Sequence, residues 1–190
     1  MFNIAFGLSG NGSTFEAIQT ACENQHLNAQ IKIVFSDNLT AYGISRAEKH
    51  SIATLYTPSS ILKNNATTVL KIFNSLDINL ICLGGFLKKI PHEIIQRYPK
   101  RILNSHPSLL PKFGGKGMYG AKVHEAVLAS GEKETGCTIH FVDENYDTGQ
   151  IILQKKIPVL PNDTQQTLHD RLIIYEHQAY IEAIQLIQTN

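Results

Sequence analysis

The feature that most constrains this chain is an alternation of apolar, strand-like runs with helix-like stretches from residue 2 to residue 106. The apolar runs are Phe2-Asn3-Ile4-Ala5-Phe6-Gly7-Leu8, Ala29-Gln30-Ile31-Lys32-Ile33-Val34-Phe35-Ser36, Ile52-Ala53-Thr54-Leu55-Tyr56, Asn79-Leu80-Ile81-Cys82-Leu83 and Ile102-Leu103-Asn104. Runs this short, bounded by turn residues, read as strands buried on both faces. Between them, residues 14–24, 42–50, 58–76 and 91–97 read as helices. Phe15, Ile18, Ala21 and Cys22 form the apolar side of the first, with Ser13 or Thr14 as its N-cap. Pro91 suits the first turn of the fourth. Such alternation predicts a parallel sheet with helices on both faces and right-handed crossovers.

After residue 120 the pattern changes. Residues 121–129 read as a helix ended by Ser130-Gly131. Residues 136–142 and 150–157 read as strands, and the short segment between them predicts an antiparallel pair. Asp163 or Thr164 caps a last helix whose apolar stripe is Leu168, Leu172, Tyr175, Ala179, Ala183 and Leu186. No repeat or linker interrupts the chain. The expectation is one α/β domain over 1–190: a mostly parallel twisted sheet, helices on both faces, and an antiparallel C-terminal strand pair.

Charge and composition remove several classes of function. Seventeen basic residues face sixteen acidic ones, so no electrostatic argument favours a nucleic-acid partner. No apolar run approaches the ~18–20 residues that span a bilayer, and the N-terminus has no signal-type pattern. Cys22, Cys82 and Cys137 are odd in number and far apart, as buried reduced thiols of a cytoplasmic protein are.

Ligands of an open α/β sheet bind beyond the carboxyl ends of the strands. Four stretches are expected there: Ser9-Gly10-Asn11-Gly12-Ser13, the 84–90 turn, Asn104-Ser105-His106, and the loop carrying Asp147. The first, opening a helix, is either a tight strand-to-helix turn or an anion seat built from backbone N–H groups. It is neither a dinucleotide fingerprint, since Phe15 stands at the third glycine, nor a P-loop. Asp37 follows the second strand where a ribose-binding acid would stand. His92-Glu93 and His124-Glu125 begin like a zinc motif but lack its second histidine, and no metal site is expected. His26, His50 and His169 carry no context of their own. Asn104 and His106, two apart in a strand, share a face, and Pro107 and Pro111 stiffen the exit. Taken alone, Asp147 reads as a turn residue before Gly149, and Glu176 as a solvated helix carboxylate.

Asn104-Ser105-His106-Pro107-Ser108-Leu109-Leu110-Pro111 resembles the formyltransferase family that uses 10-formyltetrahydrofolate. Gly136-Cys137-Thr138-Ile139-His140-Phe141-Val142, with Asp147-Thr148-Gly149 following, is similar to the same family's signature. The resemblance covers essentially the whole chain. The 9–13 turn and the absence of a further domain resemble the branch that formylates the amine of glycinamide ribonucleotide in purine biosynthesis.

The resemblance implies direct attack of that amine on the formyl carbon of the folate, through a tetrahedral intermediate. It makes Asn104, His106 and Asp147 catalytic, Gly12, Ser13, Thr14 and Glu176 ribonucleotide-binding, and Leu87, Lys88, Lys89 and Ile90, with Asn104, folate-binding. Its partners are small molecules, with no nucleic acid, membrane or metal. A folate hydrolase and a formyltransferase for an amino-sugar nucleotide are the alternatives. Two departures are visible. Lys88 stands where the family often has arginine, and the arginine of the third-helix region has no match, Lys63 being a poor one. The loop 112–120, with Lys116 at its centre, is expected to be a mobile cover.

Overall fold

The computed structural model describes residues 1–189; the side chain of Lys63 lies outside the described residues. Two compact units divide the chain, Met1–Leu103 and Asn104–Asn190. Seven strands are ordered β3-β2-β1-β4-β5-β6-β7, and the boundary between the units falls inside β5.

The first unit holds β1 (Phe2–Leu8), α1 (Ser13–Glu23), β2 (Ala29–Ser36), α2 (Tyr42–Lys49), β3 (Ala53–Tyr56), α3 (Ser59–Asn64), α4 (Ala66–Ser75), β4 (Leu80–Leu83) and α5 (His92–Arg97). β1 pairs parallel with β2 on one side and β4 on the other, and β2 pairs parallel with β3. The chain therefore winds outward to β3 and returns to start again at β4. That reversal between β1 and β4 is the topological switch point where such sheets bind ligands. The core is aromatic: Phe6 meets Phe15 edge-on with centroids 5.7 Å apart, and Phe35 meets Phe73 and Phe86 at 5.6 and 5.2 Å.

Two expectations here need correction. The single helix over 58–76 is two, broken at Asn65 with φ −135°. Asn64-Asn65 supplies side chains that compete for backbone hydrogen bonds and disfavour a helix interior. The N-cap of α1 is Gly12 in a left-handed conformation, with no side-chain cap bond, rather than Ser13 or Thr14.

The second unit continues β5 (Ile102–His106) into α6 (Ala121–Ser130), β6 (Glu134–Phe141), β7 (Ile151–Pro158) and α7 (Gln165–Thr189). β6 and β7 pair antiparallel, as the short connection requires. α6 ends at Gly131 in a left-handed conformation. The buried stripe of α7 is Leu168, Leu172, Glu176, Ala179, Tyr180, Ala183 and Ile184. Tyr175 and Leu186 are instead exposed. An apolar-only reading chose them because the helix buries a carboxylate on its inner face, which hydrophobic periodicity cannot detect. No helix among the described residues is long and apolar enough to cross a membrane.

Candidate active site

In the first unit the turns after β1 and β4 are tied together across the switch point. Ser9 N–H donates to the Gly85 carbonyl at 3.1 Å. Leu87 N–H donates to Ser9 Oγ at 2.9 Å, and Ser9 Oγ in turn donates to Asp37. Lys88 Nζ lies 3.4 Å from Asp37 Oδ2. Asp37 is thus engaged by the two turns rather than presented to a ribose. Of the expected folate-binding stretch, Leu87 has its N–H committed to Ser9 and its side chain exposed. Lys88 and Lys89 are exposed, and Ile90 is buried.

Gly12 and Thr14 are buried and Ser13 is half-buried. Gly12 needs glycine twice over: its φ is +75°, and a Cβ would lie 2.7 Å from the Cα of Gly43 on α2. The close approach of α2 to the turn therefore depends on two facing glycines.

The second unit brings Asn104, His106 and Asp147 together. β5 runs two residues further than expected, so Asn104, Ser105 and His106 lie in the strand and alternate in direction. Asn104 Nδ2 is 3.1 Å from His140 Nε2. His140 Nδ1 is 2.9 Å from its neighbour's carbonyl on Phe141 and must carry the hydrogen. Its Nε2 then accepts from Asn104, which fixes the orientation of the amide. Burial holds the His140 pKa below its ordinary value, against the opposing pull of the Phe141 carbonyl and the Asp147 charge.

His106 is buried, and its Nε2–H donates to the Phe113 carbonyl at 2.7 Å. Asp147 faces both imidazoles: Oδ2 is 3.6 Å from His106 Nδ1, and Oδ1 is 3.6 Å from His140 Nε2. Those distances exceed hydrogen-bond reach. Oδ2 also accepts from Gly115 N–H at 2.9 Å. Asp147 has φ +58°, a left-handed turn conformation that aspartate tolerates. The turn reading of Asp147 thus holds, and the same turn sets its carboxylate beside the two imidazoles.

Glu176 is buried, not solvated, and accepts from Ser105 Oγ at 2.7 Å. Strand alternation sends Ser105 to the opposite side of β5 from Asn104 and His106. Residues 112–115 of the expected cover are tied to the site: Ser108 Oγ donates to the Lys112 carbonyl at 2.6 Å, beside the Phe113 and Gly115 contacts. Lys116 is exposed.

Sequence reasoning missed His140 as a site residue. Its signal was available, because Thr138 and His140 alternate on one face of a strand already singled out by pattern. It also missed His50, which lies 3.1 Å from Glu16 and 2.8 Å from Glu23. His169 likewise has a partner: its Nδ1 is 3.4 Å from Nε2 of the buried His124. No group of three metal-ligating side chains occurs among the described residues.

The family model described as formyl transferase matches residues 2–184. The chain belongs to the formyl transferase family. The chloroplastic phosphoribosylglycinamide formyltransferase of Arabidopsis thaliana is 38% identical over 185 residues, covering 95% of this chain and 63% of that protein. The chain thus spans about six-tenths of the length of that relative. Among solved formyl transferases, the glycinamide ribonucleotide transformylase 1 of Symbiobacterium toebii is 33% identical with a TM-score of 0.90, over 98% of this chain and 87% of that one. The phosphoribosylglycinamide formyltransferase of Brucella melitensis is 35% identical with a TM-score of 0.88, over 100% of this chain and 96% of that one. The α/β fold is therefore that of these formyl transferases.

Proposed function

We propose that the protein transfers a formyl group from 10-formyltetrahydrofolate to the amine of glycinamide ribonucleotide, a step of purine biosynthesis, and that residues 1–190 act as one formyltransferase domain. The observation that carries this reading is the Asp147 carboxylate set between two imidazoles, 3.6 Å from each, with Asn104 locked by one of them. The family and its named relatives support it.

Formyl transfer develops negative charge on the carbonyl oxygen as the amine attacks. Asn104 Nδ2 has a second hydrogen beyond the one given to His140, and His106 has Nε2–H; these two donate to the oxygen. For His106 the formyl oxygen takes the place of the Phe113 carbonyl, which is how the 112–120 segment would respond to substrate. One such donor is worth ~2.7–4 kcal/mol of barrier. Asp147 stabilises the charge on His106 and accepts the proton that the attacking nitrogen loses, directly or through water. The proton returns to N10 of the folate as the C–N10 bond breaks. His140 positions Asn104 and touches no reacting atom.

Gly12, Ser13 and Thr14 hold the ribonucleotide phosphate at the positive end of α1, and Glu176 receives the ribose or amine end. The main chain of 87–90 lines the folate pocket, through groups other than the Leu87 N–H. No metal enters the reaction, no nucleic acid or membrane is a partner, and the compartment is the cytoplasm, where three free thiols persist.

The test is incubation with 10-formyltetrahydrofolate in the presence and absence of glycinamide ribonucleotide. Formylated ribonucleotide with little free formate is the expected result. Rapid formate release without the ribonucleotide would make the protein a hydrolase, and transfer only to an amino-sugar nucleotide would move it to another branch.

A further inference from the structure

Arg46, on α2, takes no part in the reaction above, yet its guanidinium is fully engaged behind the 9–13 turn. Nε donates to the Asn11 carbonyl at 3.1 Å, and Nη2 donates to Asn11 Oδ1 at 3.2 Å. Nη1 lies 3.2 Å from Glu16 Oε2, and the guanidinium carbon sits 5.0 Å from the centre of the Tyr42 ring. Three residues earlier on the same helix, Gly43 N–H donates to the Gly10 carbonyl at 3.0 Å. Both the Gly10 and Asn11 carbonyls are therefore held toward α2.

In a trans peptide the carbonyl and the following N–H point in opposite directions. These peptides are trans, the cis bond among the described residues being Leu110-Pro111. The N–H groups of Asn11 and Gly12 are consequently directed away from α2. Gly12 is left-handed and Ser13 begins a right-handed helix. That succession gathers consecutive N–H groups into a concavity that suits an anion.

We propose that Arg46 is a positioning residue for the substrate phosphate: its fork on Asn11, with the Gly43 amide on Gly10, sets the peptide planes of the 9–13 turn so that their N–H groups converge on a phosphate. This rests on the phosphate reading of that turn given above. Arg46 does not touch the phosphate. The orientation needs the fork rather than the charge, and a lysine cannot span the two oxygens of Asn11.

The test compares the wild type with Arg46→Met, Arg46→Lys and the double variant Arg46→Met/Glu16→Gln. The measurements are steady-state kinetics in both substrates, orthophosphate binding by calorimetry, and thermal melting. For Arg46→Met, a rise of roughly ten-fold or more is expected in the ribonucleotide KM and the orthophosphate Kd, the scale of a lost charged hydrogen bond. Folate KM and kcat should stay within about two-fold, since uniform binding of one substrate is what is lost. Arg46→Lys should lie near Arg46→Met, and the double variant should not recover. A lysine variant with wild-type values, or recovery on removing Glu16, overturns the proposal. Wild-type protein that transfers no formyl group but binds orthophosphate through Arg46 overturns the reading of function and leaves this one standing. Active wild type with unaltered Arg46 variants overturns this one alone.

Discussion

The 9–13 turn and the Asn104–His106 corner both follow strands, yet they are built from opposite materials. The first is main chain: two facing glycines, two carbonyls held by α2, and a left-handed Gly12. The second is side chain: an amide, two buried imidazoles and a carboxylate. Their histidines differ in the same sense. His50, behind the turn, has its pKa raised, first by its hydrogen bond to Glu16 and also by Glu23, while burial pulls the other way. His124, buried in the second unit, has its pKa pushed down to about 4, by burial first and then by His169 and His106. The contrast teaches a division of labour. Backbone N–H groups cannot titrate and suit the binding of a constant charge, whereas chemistry needs groups whose proton or dipole changes along the reaction.

The most severe challenge to that division is removal of the side chains proposed to react. Asp147→Asn and His106→Ala should each cost ~10²–10⁴ in kcat, the scale of positioned acid–base catalysis, with ribonucleotide and folate affinities retained. Near-wild-type turnover in either variant would remove that residue from the catalytic set.

The next effect is on stability and belongs to the second unit. His124 takes a proton near pH 6.5 when unfolded and near 4 when folded. Its stabilisation is thus complete above pH 6.5 and is lost as pH falls from there to 4. The full loss is on the order of 3 kcal/mol. Chemical denaturation of wild type and His124→Gln across that window should show the wild type losing the steeper share of its stability on acidification. Parallel profiles would mean that His124 is not the group that titrates.

A change confined to main chain tests the other half of the comparison. Gly12→Ala forces a left-handed alanine, at ~1–2 kcal/mol, and drives its Cβ into the Gly43 backbone. The ribonucleotide KM should rise by roughly ten-fold while the folate KM holds. Equal rises in both would show that the turn serves the fold as a whole rather than one substrate.

The smallest effect comes from His50. Its folded pKa lies above the unfolded one, so its stabilisation is present below about pH 6.5 and is lost as pH rises through the folded value. The pairs are half-exposed and their worth is small. Alkaline titration should lower the melting temperature by no more than a few degrees, and His50→Gln should flatten that slope. An opposite sign in the wild type would break the contrast between the two histidines.

Much of this was legible in the chain. β1 and β2 run over the residues that their apolar patterns mark, because strands buried on both faces leave a contiguous signal. Asn104 and His106 were legible as a pair from spacing alone. Asp147 was legible only through family resemblance, because its position depends on a left-handed turn and a contact with Gly115 that no periodicity encodes. Glu176 and Ser105 defeated the reading because their burial is justified by each other across distant sequence. His140 was visible but had no assigned task, since its work is to orient Asn104 through a tautomer set by its own neighbour's carbonyl.

The bond between Ser105 and Glu176 has a consequence for biosynthesis. The two residues are 71 positions apart, and the acceptor sits midway along the last helix. At roughly 5–20 residues per second, a nascent chain carries the 102–106 strand for several seconds before the partner of Ser105 has been made. Through that interval the hydroxyl lacks its carboxylate partner. The buried pair is therefore a late event on the ribosome, arriving with the final helix rather than with the strand that bears Ser105.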